Sequence, residues 1–108
     1  MKNSDMDAQS LDKQASVLMT HEIGLHARPS VKLTKLAKSF ESAIELAAAP
    51  DGPWIDAKSI VKVMALKARK DTILHFRATG SDADVALAAL VALVEHDFDG
   101  DHADAANR

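Results

Sequence analysis

One histidine in this 108-residue chain sits where a ring nitrogen could do chemistry. His26 lies within Gly24-Leu25-His26-Ala27-Arg28-Pro29. Gly24 lets the chain leave a strand sharply, and Pro29 suits the first turn of a helix, where its missing N–H costs nothing. His26 is therefore predicted at or just before a helix N-terminus. The free N–H groups of Ala27, Arg28 and Ser30 converge there with the positive end of the helix dipole, about half a charge. Such a place binds anions. Arg28 adds a planar fork of donors matched to phosphate oxygens. A neutral imidazole, an anion cradle and a guanidinium are together what a side chain needs to accept and release a phosphoryl group. Geometry alone leaves the alternative open, because a histidine at a helix start also serves as a cap or as a solvated surface residue.

The flanking pattern supplies the elements that would position this motif. Ala15, Val17 and Met19 alternate with Ser16, Leu18 and Thr20, the period of a half-buried strand. From Ala27 the period changes, and Leu33, Leu36, Ala37 and Phe40 share one face of an amphipathic helix, with Arg28, Lys32, Lys35 and Lys38 on the other. Ile44 and Leu46 flank Glu45 in a second strand. The turn residues Pro50-Asp51-Gly52-Pro53 then lead into a short strand at Trp54-Ile55-Asp56, which makes a hairpin. Ser59 is predicted to cap a short helix carrying Ile60, Val61, Val63, Met64 and Leu66. Thr72 to Thr79 reads as a last strand, with Leu74, Phe76 and Ala78 inward and Ile73, His75 and Arg77 outward. Ser81-Asp82-Ala83-Asp84 is similar to a capping box and opens a helix with Leu87, Leu90, Val91 and Val94 on one face. The order β-α-β-β-α-β-α, with alternating strands and one apolar stripe per helix, predicts an α+β fold. It has two layers, an antiparallel sheet with its helices on one side.

Composition bounds the function. The length predicts one domain over residues 15–98, a disordered tail over 1–14 and a flexible tail over 99–108. Thirteen Lys and Arg against sixteen Asp and Glu leave a net charge of -3, which argues against a nucleic-acid binder. Cysteine is absent, so disulfides, thiolate nucleophiles and Cys-based metal sites are excluded. Val85 to Val94 falls short of the roughly 20 apolar residues that cross a bilayer, and the N-terminus lacks a signal-peptide core. A soluble, cytoplasmic protein is expected.

Two motifs carry a resemblance. Gly24-Leu25-His26-Ala27-Arg28-Pro29, followed about thirty residues later by Lys58-Ser59-Ile60-Val61-Lys62-Val63-Met64, resembles the phosphocarrier protein HPr of the bacterial phosphoenolpyruvate-dependent phosphotransferase system. The resemblance spans roughly Ala15 to Phe98. It implies an open-faced β-sandwich with a four-stranded antiparallel sheet, order 1-4-2-3, and three helices on one face. It further implies that His26 takes a phosphoryl group through Nδ1 from phosphorylated enzyme I and passes it to a histidine of a IIA-type protein. Arg28 would steady the phosphoryl oxygens. Such proteins are carriers rather than turnover enzymes, and the resemblance implies a monomer that holds neither metal nor cofactor. Ser59 matches the family's regulatory serine, the target in some bacteria of an HPr kinase/phosphorylase. Ile60, Val61 and Met64 match the apolar centre of the partner-docking face, with Lys35, Lys38 and Lys62 on its rim, complementary to acidic partners.

Departures from the pattern point to a branch. Ile23 is apolar where sugar-type carriers often have Asn or Ser, and the Ala48-to-Pro53 hairpin is slightly longer than in compact sugar-type members. Lys67 and Asp71 occupy positions where glycine is common, so local differences are expected there. These features favour a regulatory, nitrogen-type carrier over the alternative, a sugar-transport HPr. A rival metal site would need His21, His26, His75, His96 or His102 to converge, and their spacings match no ligand pattern. A histidine-dependent hydrolase would need a nucleophile and a carboxylate that the motif lacks. A non-catalytic α+β binding module for RNA would need basic charge and stacking aromatics.

Overall fold

A computed structural model describes residues 12–22 and 24–98. Its elements run β1 (Asp12–Leu18), α1 (Ala27–Lys38), β2 (Ala43–Ala47), β3 (Ile55–Asp56), α2 (Ile60–Ala65), β4 (Ile73–Thr79) and α3 (Ala83–Glu95). The strands form one sheet of order β1-β4-β2-β3, antiparallel throughout. This is the expected open-faced sandwich. Strand β1 begins at Asp12, three residues before the boundary expected at Ala15, because Asp12 to Gln14 pair with Thr79 to Arg77. Residues 1–11 and 99–108, the predicted tails, and Ile23 lie outside the described residues.

Alternation decides which face of the sheet is covered. Leu74, Phe76 and Ala78 of β4, Ile44 and Leu46 of β2 and Val17 of β1 are all buried. They meet Leu33 and Ala37 of α1, Val63 of α2 and Leu87, Leu90 and Val94 of α3 in one aliphatic core. The opposite face stays open and carries polar pairs. Arg77 Nε donates to Glu45 Oε1 at 2.6 Å while its guanidinium lies 4.2 Å from the Trp54 ring centroid. Ser16 Oγ sits 2.9 Å from His75 Nδ1. No helix among the described residues is long and apolar enough to cross a membrane.

One turn departs from expectation. The capping box at Ser81 does not form: the N-cap is Asp82, and its side chain makes no cap bond. Its carboxylate instead reaches across to the α1–β2 loop. Oδ2 accepts the Glu41 N–H at 2.9 Å, while Oδ1 accepts the Ser42 N–H at 3.0 Å together with the Ser42 hydroxyl. Two backbone donors and a hydroxyl compete better for the carboxylate than a single helical N–H does. Gly80 makes this approach possible, since a Cβ there would stand 2.5 Å from Ser42 Oγ. Lys67 and Asp71 adopt left-handed backbone conformations, φ 52° and 72°, as glycine would. A side chain makes that region more costly than it is for glycine.

Candidate functional site

The loop from β1 to α1 is shaped by backbone contacts before any side chain acts. Gly24, at φ +86°, packs so closely against the α2–β4 loop that a Cβ would lie 2.5 Å from the Ala68 carbonyl oxygen. That carbonyl accepts the Leu25 N–H at 2.9 Å, and Leu25 is buried beside it. His26 follows as the N-cap of α1 in extended conformation, and its side chain makes no capping hydrogen bond. The ring is exposed. An N-cap normally spends its side chain on the helix; here that work is left undone and the imidazole faces outward.

The cradle is smaller than the sequence predicts. Pro29 has no N–H, and the Ser30 N–H is consumed by the His26 carbonyl at 3.0 Å, closing the first turn of α1. The open donors are therefore Ala27 and Arg28, the first two residues of the helix, whose N–H groups have no intrahelical acceptor. Arg28 is exposed and shares a shallow cavity of ≈ 250 Å³ with His26. Around them stand His21, Lys32, Asp97 and Phe98. This arrangement offers an anion two backbone donors, a guanidinium and a nearby ring nitrogen.

A second groove of ≈ 520 Å³ runs along α1, lined by Ala27, Arg28, Val31, Lys32 and Lys35. Helix α2 packs against α1 and presents Val61 and Met64 to solvent, 74% and 40% exposed. Ile60 is only half-buried, whereas Val63 is sealed in the core. Lys38 and Lys62 are exposed but line neither cavity. Ser59 is the N-cap of α2, its Oγ accepting the Lys62 N–H at 3.3 Å, and it too stands apart from both cavities.

Sequence reasoning missed Val31, His21, Asp97 and Phe98. Val31 is legible in retrospect, because Arg28, Val31 and Lys35 follow i, i+3, i+7 and share one face of α1. The other three arrive from β1's exit and from beyond α3, and no local pattern joins them to His26. Lys32 was expected on a solvated face, yet its Nζ donates to the Phe98 carbonyl at 2.8 Å. Among the histidines, His21 and His26 come together, with ring centroids 6.1 Å apart. His75 lies on the open sheet face, His96 Nδ1 sits 2.8 Å from the Ala92 carbonyl, and His102 lies outside the described residues.

Residues 13–96 match the family described as PTS HPr component phosphorylation site. The chain is 34% identical over 86 residues to phosphocarrier protein NPr of Escherichia coli K12, covering 80% of this chain and 94% of that one. It is 38% identical over 85 residues to phosphocarrier protein HPr of Cupriavidus necator, covering 79% and 93%. Among solved structures, HPr-C-His from Thermoanaerobacter tengcongensis superposes with a TM-score of 0.73 at 32% identity, over 80% of this chain and 94% of that one. A match across nearly the whole described domain, in sequence and in topology, makes the chain a member of the HPr family of phosphotransferase-system phosphocarriers, proteins that carry a phosphoryl group rather than catalyse its turnover.

Proposed function

We propose that His26 is the residue that bears the phosphoryl group, taking it from phosphorylated enzyme I and delivering it to a histidine of a IIA-type protein. The observation that carries this reading is an exposed N-cap imidazole that makes no capping bond, beside two open helix N–H groups and Arg28. In the transfer, the Nδ1 lone pair forms a bond to phosphorus as phosphorus parts from the donor. The electron pair of the broken bond stays with the donor, and the proton stays on His26 Nε2. Delivery reverses the step, with Nδ1 as leaving group. The Ala27 and Arg28 N–H groups and the Arg28 guanidinium face oxygens whose charge is present throughout, so they bind the group without committing it to this carrier.

Docking would use Val61 and Met64 of α2 with Ile60 beneath them, and Lys35, Lys38 and Lys62 as a basic rim for acidic partners. Ser59 would be the regulatory site, phosphorylated by a dedicated kinase. The nitrogen-type branch is supported by apolar Ile23 and by the length of the Ala48-to-Pro53 hairpin. Offering the phosphorylated carrier to nitrogen-type and sugar-type IIA proteins tests the branch, with faster transfer to the nitrogen-type acceptor expected.

The test of the site is mass spectrometry after incubation with phosphoenolpyruvate and enzyme I. Wild type should gain one acid-labile, base-stable phosphoryl group, and His26→Ala should gain none. Undiminished labelling of His26→Ala would overturn the assignment.

A further inference from the structure

Lys32 borders both hollows at the start of α1. It lines the shallow cavity of His26 together with Arg28 and Phe98, and it lines the groove that runs on to Val31 and Lys35. Lys32 follows Arg28 by four residues, so the two share a face of the helix. Long helical side chains also lean back towards the N-terminus, the end that carries His26. Arg28 is exposed, whereas Lys32 is half-buried and its Nζ donates to the Phe98 carbonyl at 2.8 Å.

The acceptor that anchors this ammonium is itself held. Asp97 and Phe98 both adopt left-handed backbone conformations, φ 55° and 65°, uncommon for residues with side chains. Phe98 is 2% exposed and its N–H donates to the Leu93 carbonyl at 2.7 Å, while Thr20 Oγ1 donates to the Asp97 carboxylate at 3.1 Å. So costly a backbone persists because contacts on both residues fix it. Its result is a carbonyl that takes one of the ammonium protons of Lys32 and leaves the charge in place.

The same turn brings a carboxylate. Asp97 lines the cavity and would repel a phosphoryl group, which carries roughly two negative charges. The Arg28 guanidinium and the two helix N–H groups serve the phosphoryl oxygens in the reading above. Lys32 adds a second full positive charge to the same cavity, beside the turn that carries Asp97. Because its ammonium is anchored beforehand, little side-chain freedom is lost when an anion arrives.

We propose that Lys32 is a binding residue of the site, its ammonium donating to an oxygen of the phosphoryl group on His26 while the Phe98 carbonyl holds it. This rests on the reading of His26 above. Bond making and breaking are unchanged; Lys32 favours the phosphorylated carrier over the free one by a charge-assisted hydrogen bond.

The test is the equilibrium constant of phosphoryl exchange between enzyme I and the full-length carrier, with melting temperature measured on the same samples. An equilibrium between free species does not depend on how tightly they dock, so a lysine that only guided enzyme I would leave it unmoved. Lys32→Met keeps the apolar stem and removes the charge. Its constant should fall about tenfold, the factor one hydrogen bond to a charged group supplies. Lys32→Arg keeps a charge and should regain most of the loss. Phosphorus NMR of the phosphorylated carrier, with enzyme I and phosphoenolpyruvate replenishing the label, gives a second readout. The phosphoryl group should take up its proton at higher pH in Lys32→Met, because loss of a nearby cation favours the protonated form. A wild-type constant in Lys32→Met overturns the proposal, as does a Lys32→Arg value as low as that of Lys32→Met, or an unshifted phosphorus titration. Should Lys32→Met melt early, Lys32→Gln retains an N–H for the Phe98 carbonyl, and a wild-type constant there overturns the proposal too. Failure of the underlying reading is seen separately, as wild type that takes no label or His26→Ala that takes as much.

Discussion

The His26 carbonyl starts α1 by accepting from Ser30, so the backbone of this residue is committed while its ring is not. Under the function proposed above, that division would let the imidazole react without loosening the helix. The Arg28 side chain is exposed. Arg28→Ala should therefore leave the melting temperature unchanged and slow phosphoryl transfer from enzyme I by about tenfold. That is the low end of what a hydrogen bond to a charged group contributes, as fits a solvated side chain. Unchanged rates in a stopped-flow assay would leave Arg28 without a part in the chemistry. Two residues on, the buried Ser30 hydroxyl has no hydrogen-bond partner among the described residues. Burying an unsatisfied hydroxyl is costly, and alanine is the better helix former. Ser30→Ala should raise stability by about 1 kcal/mol, roughly 4–8 °C in Tm for a domain of this size. A lower Tm would show that the hydroxyl is engaged.

Between elements, the most informative contact is the Asp82 carboxylate at the start of α3 gripping the loop before β2. Hydrogen bonds from the Ser42 hydroxyl and the Glu41 N–H favour the charged form and hold its pKa below the ordinary 3.8. A group depressed in the folded state binds protons more readily when unfolded. Its stabilisation is thus present above the ordinary value and is lost as pH falls through the lower folded one. Asp82→Asn should be less stable than wild type near neutral pH, and the gap should narrow as solutions are taken below pH 3.8. Urea titrations at several pH values measure it, and a gap that stays constant down to the acid limit would contradict the assignment.

Across the whole molecule, the exposed apolar residues Val31, Val61 and Met64 lie on α1 and α2, which also carry the exposed Lys35, Lys38 and Lys62, and α2 is part of the surface proposed above for docking. Val61 at 74% exposure contributes little to folding where it stands, and Ser59 caps the helix that presents it. Phosphorylation of Ser59 adds about -1.5 to -2 charges next to a surface that must be desolvated on docking. Melting should change little, because phosphate oxygens can still accept the Lys62 N–H, whereas affinity for enzyme I should fall. Calorimetry on Ser59-phosphorylated and unmodified protein separates the two. Equal affinities would leave Ser59 as a cap alone.

What the sequence determined by itself is what depends on neighbours within one or two turns. The period of two in β4, the i, i+3, i+4 spacing in α1, Ser59 as a cap and His26 at a helix start all follow from local backbone geometry. These readings survive in the structure. The sheet order was legible only through resemblance, since periodicity says which face of a strand is buried but not which strand lies beside it. Tertiary structure alone decided the contacts between residues far apart in the chain. Asp82 abandons a local capping box for Ser42, forty residues away, because folding brings better donors to it. Phe98 comes back over α1 and sets His21 beside His26. Chain closure over such distances is repaid only by the packing of the complete core, and no stretch of local sequence encodes that.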